Sequence, residues 1–454
     1  VSGDTLQVSL DYNIQEYAQQ AAEKVMEEKQ ADAVVILILN PKTGEIYACV
    51  NAPEFDLNAP FTLPEGTDAA LNDEEKQAML NQMWRNRCIN DTYEPGSTFK
   101  PFVMASALQE RKINRNTAID CENGKWEIKK VTIRDTSRQG VLPAHKVLRY
   151  SSNIGMAKIG LELGSPTLYK YLRALGFGES TCVPVADSRG ILRQPRSWSE
   201  ADLMSASFGQ SVSVTALQMA QGYLTLLNNG VYKPLRLLRE QVNVEQRYER
   251  IFSERVCREV MGMMRDVVEE KDGTGKRARI EGVEVAGKTG TAQKADHKAG
   301  SYGAKRLASF VGFLPADNPR YLIVVLVDEP TKNQYGGVVA APVFREIASR
   351  AITYSGAIVP DATSQAEKDD KPDKDKTCTQ KRENCTQDAD IFPENACNSK
   401  QSKESKVKES KAKESRALPP LTPPGESGGA QGNPDLDIPG YAYNRNTHNL
   451  ECLM

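Results

Sequence analysis

The chain has 454 residues, 39% of them apolar, which is enough for a substantial core within two or three domains. Its 58 lysines and arginines against 60 aspartates and glutamates leave a net charge of −2, which excludes the global basicity of a nucleic-acid or anionic-membrane partner. Apolar runs such as VVILIL over 34–39 are strand-length, far short of the roughly eighteen residues a membrane span needs. The nine cysteines (Cys49, Cys88, Cys121, Cys182, Cys257, Cys378, Cys385, Cys397 and Cys452) contain no Cys-x-x-Cys spacing. They give no zinc or iron–sulfur signature and read as small buried hydrophobes.

The chain opens VSGDTLQVSLDYNIQ without a methionine, and a targeting segment is expected upstream. Two apolar runs within 32–51, joined at Asn40, Pro41 and Gly44, predict a β-hairpin. Amphipathic patterns then predict helices over 73–86, 97–111, 155–164, 165–176, 215–230 and 253–270, several ending at the glycine or asparagine of a C-cap. Strand signals return over 283–294 and 306–330, the latter around an Asp317-Asn318-Pro319 turn, and a last helix is expected over 341–352. Strands at both ends and helices between them imply one α+β domain whose antiparallel sheet draws on both termini. Trp84, Trp126 and Trp198 all precede residue 357. Beyond it lie EKDDKPDKDK and the units KESKV, KESKA and KESRA over 403–417, too polar to offset ordering entropy. A domain over 1–356 is therefore expected to be followed by a disordered tail over 357–454, where the pairs Glu404–Lys408 and Glu409–Lys413 could support a short solvated helix.

Within YEPGSTFK, over 93–100, Pro95 and Gly96 mark a helix entry, so Ser97 falls at the helix N-terminus and Lys100, three residues on, shares its face. Alone, that spacing describes a cap and a snorkelling lysine; Ser405 with Lys408 and Ser410 with Lys413 match it inside the polar repeat. Ser151-Ser152-Asn153 is likewise an ordinary helix N-cap cluster in isolation. Followed by Lys288-Thr289-Gly290, however, these elements form in order the trio that marks penicillin-binding proteins and serine β-lactamases. A second Lys-Thr-Gly, at Lys42, Thr43 and Gly44, is a decoy, because turn chemistry accounts for each of its residues.

The resemblance extends past the trio. GDTLQVSLDYNIQ, NPKTGEIYACVNAPEFDLN, YEPGSTFKPFVMASALQE, YSSNIGMAKIG, SFGQSVSVTALQMA and VAGKTGTAQK are similar to blocks of the transpeptidase domain of class B penicillin-binding proteins. One position departs: Ser211, after Gln210, stands where the family often has glycine. The resemblance implies a penicillin-binding/serine β-lactamase-like α+β fold, an antiparallel sheet flanked by helices with a mostly helical subdomain. It implies Ser97 as nucleophile, Lys100 as its base, and Ser151 as proton relay. Asn153 would hydrogen-bond the substrate or orient Lys100, and Ser152 would point away. The hydroxyls of Thr289 and Thr291 would bind a terminal carboxylate with Lys288 supplying positive potential, and Gly290 would leave room for a ligand along the strand. The backbone N–H groups of Ser97 and Thr291 would form the oxyanion hole.

Physical reasoning agrees with the first two roles. A serine hydroxyl needs a base, a lysine serves only when unprotonated, and a second cation such as Lys288 nearby would lower its pKa. His145, His297 and His448 sit in no hydrolase motif, so a Ser-His-Asp triad is a poor competitor and His145 reads as structural. The resemblance implies a peptidoglycan D,D-transpeptidase acting on stem peptides through an acyl-enzyme on D-Ala-D-Ala and acylated by β-lactams, with no metal or organic cofactor. A β-lactamase, a D,D-carboxypeptidase and a β-lactam-binding sensor or scaffold are the alternatives. Cell-wall synthesis or division proteins are the expected partners and nucleic acid is not. The expected location is the extracytoplasmic face of the bacterial membrane, with the anchor upstream and a role in elongation, division or sporulation left open.

Overall fold

Strand β1 (Ala33–Leu39) is buried along its whole length. Because side chains alternate, Val34, Ile36 and Ile38 enter one hydrophobic core while Val35, Leu37 and Leu39 enter another. The computed structural model that shows this describes residues 5–64, 66–67, 71–129, 131–181, 183, 185–239, 249–296, 301–356, 441–444 and 449–452.

Before β1 runs α1 (Tyr12–Lys29), capped by Asp11, whose carboxylate accepts from the Ile14 N–H at 3.0 Å. After it come β2 (Ile46–Ala52), α2 (Asp73–Met83), α3 (Arg87–Asn90) and α4 (Lys100–Gln109). Two small pairs follow, β3 (Ala118–Asp120) with β6 (Val141–Pro143) and β4 (Lys125–Ile128) with β5 (Val131–Arg134). Then come α5 (Ala144–Arg149), α6 (Asn153–Leu163), α7 (Ser165–Ala174), α8 (Glu200–Ala206), α9 (Ala216–Leu227) and α10 (Glu254–Glu269). The chain returns to the sheet with β7 (Ala286–Asp296), β8 (Ser301–Leu314) and β9 (Tyr321–Asp328), then ends this unit with α11 (Gly336–Tyr354).

The main sheet is antiparallel throughout, in the order β2-β1-β9-β8-β7, so strands from both ends of the unit meet in its middle, as expected. Helices α1 and α11 cover one face, and α4 and α6–α10 build the second core on the other. This places β7 at an edge, with α11 starting beside it: the Gly336 N–H donates to Thr291 Oγ1 at 3.1 Å.

Several elements differ from the sequence reading. α1 was not anticipated, because its buried stripe of Ile14, Ala18, Ala21, Ala22 and Val25 is mostly alanine and gives a weak apolar period. The expected helix over 97–111 opens as a 3-10 turn, Gly96–Phe99, before α4. α11 begins five residues before the expected 341, running through Pro342, which the sequence presents as a first-turn proline. The second Lys-Thr-Gly lies in the β1–β2 turn as expected, where the Gly44 N–H donates to Asn40 O at 2.9 Å and Gly44 O accepts from Arg236 N at 2.9 Å.

A separate unit begins at Asp361. The expected tail disorder and solvated helix fall outside the described residues, except that β10 (Tyr441–Asn444) pairs antiparallel with β11 (Asn449–Cys452), a feature the polar composition did not signal.

Candidate active site

Ser97 sits in the 3-10 turn that opens α4, where first-turn N–H groups lack intrahelical acceptors. In a 3-10 turn residues i and i+3 eclipse, so Ser97 and Lys100 share a side. The turn is held from beneath: Thr98 Oγ1 donates to Pro95 O at 2.7 Å and Tyr223 OH to Thr98 O at 2.6 Å. From the side, the Gly96 N–H donates to Gly209 O at 2.8 Å. A Cβ on Gly209, whose φ is +83°, would lie 2.0 Å from Gly96 O, so only glycine allows that approach. Two residues on, Ser211 has φ +61°, a backbone region that favours glycine; this is a physical reason for glycine at that position in the family the sequence resembles.

Lys100 is fully buried. Its Nζ lies 2.7 Å from Ser151 O, 2.8 Å from Asn153 Oδ1 and 3.2 Å from Ser151 Oγ. Lys288, also fully buried, donates from Nζ to Ser151 Oγ at 2.9 Å and to Thr289 O at 3.0 Å. Burial pulls the Lys100 amine down to about 7, against the opposing pull of the Asp135 carboxylate. Burial first, and then the neighbouring Lys100 charge, hold Lys288 well below the usual lysine range. The expected lowering of Lys100 by Lys288 is thus not what shifts it: burial does, and the charge effect runs from Lys100 onto Lys288. A neutral Lys100 has two N–H groups, matched by the two carbonyl oxygens of Ser151 and Asn153, which leaves its lone pair for a hydroxyl proton. Ser151, at φ +59°, is held with its hydroxyl oxygen within reach of both amines, 2.9 Å from Lys288 Nζ and 3.2 Å from Lys100 Nζ.

The Ser151-Ser152-Asn153 loop is fixed by Asp135, a residue the sequence reading missed. Its carboxylate accepts from Ser152 Oγ at 2.5 Å, from the Asn153 N–H at 2.5 Å and from the Ile154 N–H at 3.1 Å. Ser152 turns away from the cleft and caps α6 through the Gly155 N–H at 2.9 Å. Asn153 Nδ2 donates to Arg134 O at 3.0 Å, fixing the amide so that Oδ1 faces Lys100. Nothing around Asp135-Thr136-Ser137 distinguishes it in sequence from a common turn.

A cleft of 530 Å³ runs past these groups, lined by Ser97, Ser151, Asn153, Thr289, Gly290 and Thr291. Thr289 Oγ1 donates to Thr274 Oγ1 at 3.1 Å. Two expectations change here. Lys288, expected to supply positive potential, is fully buried and does not line the cleft, and among the described lining residues the cations are Lys276, Arg277 and Arg306, with no carboxylate among them. The basic run after Gly275 was readable as a candidate anion-facing cluster, but its position was not. Gly290 borders the cleft, yet a Cβ there would meet Ser309 Oγ at 2.3 Å and Thr98 at 3.0 Å. Its missing side chain thus lets the nucleophile turn pack against β7, rather than making room for a ligand.

His145 is not among the residues lining the cleft, and its Nδ1 lies 3.2 Å from Arg115 O. Among the described residues, no group of three or more His, Cys, Asp and Glu side chains is placed to hold a metal, and no helix is long and apolar enough to cross a membrane.

The chain is 35% identical over 359 residues to the probable peptidoglycan D,D-transpeptidase PenA of Neisseria gonorrhoeae, covering 78% of this chain and 58% of that protein. It is 32% identical over 367 residues to the peptidoglycan D,D-transpeptidase FtsI of Escherichia coli K12, covering 80% and 58%. The chain thus spans less than two thirds of the length of these relatives. Among solved structures, the apo transpeptidase domain of penicillin-binding protein 3 from Burkholderia pseudomallei superposes with a TM-score of 0.67 at 29% identity, covering 78% of this chain and 98% of that one. The family described as "penicillin binding protein transpeptidase domain" matches residues 34–349, and the chain belongs to it.

Proposed function

We propose that this chain is the acyl-transfer domain of a peptidoglycan D,D-transpeptidase, with Ser97 as nucleophile. The observation that carries the reading is Ser151 Oγ held between two buried lysines at the mouth of the cleft that Ser97 lines. A neutral Lys100 takes the Ser97 proton as the hydroxyl attacks the penultimate D-Ala carbonyl of a stem peptide. The oxyanion meets the backbone N–H groups of Ser97 and Thr291; loss of one such donor costs about 2.7–4 kcal/mol. Ser151 passes a proton to the leaving D-alanine amine and is resupplied through Lys100, which Asn153 orients. Thr289 and Thr291 receive the terminal carboxylate, with Lys276, Arg277 and Arg306 providing the positive wall. A neighbouring stem's amine then attacks the ester and forms the cross-link. β-Lactams acylate Ser97 as mimics of the D-Ala-D-Ala end.

This reading puts the domain on the extracytoplasmic face of the membrane, anchored upstream and working with cell-wall synthesis or division proteins. The FtsI name of one relative supports division over sporulation. The test supplies a stem peptide ending in D-Ala-D-Ala with an acceptor amine and follows the products by mass spectrometry. A cross-linked product with release of D-alanine is expected. Hydrolysed peptide alone would identify a carboxypeptidase, rapid turnover of penicillin a β-lactamase, and a stable penicillin adduct without peptide product a sensor.

A further inference from the structure

Two cysteines far apart in sequence meet away from the cleft. Cys49 lies on the edge strand β2 and Cys88 in the short helix α3. Both side chains belong to the same face of the sheet. The two segments are clipped together around them: Asn51 Oδ1 accepts from the Arg87 N–H at 2.9 Å, Asn51 Nδ2 donates to Arg85 O at 3.3 Å, and Cys88 Sγ lies 3.1 Å from Val50 O. The two thiols neighbour each other across this contact, Cys88 donating its S–H to Val50 O, and Asn86 Oδ1 accepts from the Cys88 N–H at 3.0 Å beside Cys49. Cys88 is fully buried and Cys49 is partly open to solvent.

We propose that Cys49 and Cys88 are an attacking and resolving thiol pair that closes to an intramolecular disulfide on reaction with a small-molecule disulfide oxidant. The asymmetry sets the order. Cys88 is fully buried with its S–H turned to Val50 O, and its contact with Cys49 together with burial holds it well above the usual thiol range, whereas the same contact draws the more open Cys49 down. The accessible Cys49 thiolate attacks one sulfur of the oxidant, whose S–S bond breaks and releases one thiolate. Cys88 then gives up its proton to that thiolate and attacks Cys49 Sγ, expelling the second half. The two cysteines lose two electrons and two protons, and the oxidant leaves as two thiols.

The closed bond ties α3 to the sheet edge just ahead of the segment that leads to Ser97. That segment is already pinned by reciprocal Tyr93–Val214 backbone bonds of 2.9 Å and by Gly96 against Gly209. The cross-link would therefore anchor the approach to the nucleophile at a third point. The proposal is independent of the acyl-transfer reading, because it concerns thiols outside the cleft.

The test treats the full chain with glutathione disulfide, blocks residual thiols with N-ethylmaleimide in denaturant, and maps tryptic peptides without reduction. Cleavage at Lys76, Arg85 and Arg87 separates the two cysteines unless they are joined. The expected result is a Cys49–Cys88 linked pair lighter by two hydrogens, with Cys121 and Cys257 blocked singly. In Cys88→Ala the expected product is a glutathione adduct that persists on Cys49. Maleimide on both Cys49 and Cys88 of the oxidised wild-type chain would overturn the proposal, as would Cys49 joined to any other cysteine.

Discussion

Lys100 and Lys288 converge on one oxygen, Ser151 Oγ, which lies 3.2 Å from the first amine and 2.9 Å from the second. Two ammonium groups are not both held there, since burial disfavours the charge of each and the Lys100 charge further disfavours that of Lys288. The site is built so that an amine beside the nucleophile is neutral near physiological pH, which is the condition under which a lysine can serve as a base.

The first prediction is a pH profile. With Lys100 drawn down to about 7, the rate of Ser97 acylation should rise as pH increases from 6 through 7 and level off above it. Stability should follow the same group. Between about 7 and the ordinary lysine value of 10.5, the unfolded chain binds a proton at this position that the folded chain does not, so stability rises with pH across that window. Urea unfolding at several pH values, compared with Lys100→Met, should show a steeper slope in the wild type than in the variant, where Lys288, also held below its usual range, still contributes.

Ser97→Ala should abolish covalent labelling by penicillin while changing the melting temperature little. The hydroxyl lines the cleft and takes part in none of the bonds that hold its turn. Ser405→Ala and Ser410→Ala should label normally. A stable adduct on Ser97→Ala, found by mass spectrometry, would refute the nucleophile assignment.

The trio of motifs was legible because each is continuous in sequence, and so was the sheet, whose strands are runs of apolar residues with clear turns. Asp135 was not legible: it acts on a loop seventeen residues away through three hydrogen bonds, and no local pattern marks a carboxylate that caps a helix from outside. The position of Lys288 was legible only in part. Its strand alternation could be read, but its complete burial depends on how β7, α4 and the Ser151 loop close over it. Gly290 was misread for the same reason, since the Thr98 and Ser309 that fill its vacant side come from other elements.

Asp135 separates positioning from catalysis. Asp135→Ala removes three hydrogen bonds at the start of α6 and should cost about 2–3 kcal/mol of stability, with acylation falling on the order of a hundredfold as Asn153 loses its place. Asp135→Asn keeps the shape and should retain much of both. Because the carboxylate raises the Lys100 pKa, the neutral amide should also move the acylation midpoint to lower pH. An unmoved midpoint in Asp135→Asn would show that its charge does not reach Lys100.

Deleting residues 361–454 should leave penicillin acylation and the cooperative melt intact. Among the described residues, both hydrophobic cores are made entirely from residues 14 to 352. A truncated chain that labels poorly or melts without cooperativity would place the domain boundary elsewhere.

The two lysines can be told apart with arginine. Lys100→Arg keeps a charge but cannot release a proton near neutral pH, so acylation should fall as far as in Lys100→Ala, on the order of 10²–10⁴-fold. Lys288 differs from what the sequence suggested, because a lysine acting by its charge would tolerate arginine, whereas this one is buried and held below its usual range. Lys288→Arg should therefore lose most activity, and what remains should titrate at lower pH, since a permanent cation now stands beside Lys100. Lys288→Met removes a donor to Ser151 without adding charge. Its residual acylation should keep a midpoint near that of the wild type, because burial is the main cause of the Lys100 shift. Acylation rates of the four variants with a chromogenic β-lactam from pH 6 to 10 decide the matter. Wild-type rates in Lys100→Arg would remove Lys100 as the base, and an active Lys288→Arg with an unshifted profile would mean that Lys288 carries its charge in the folded site.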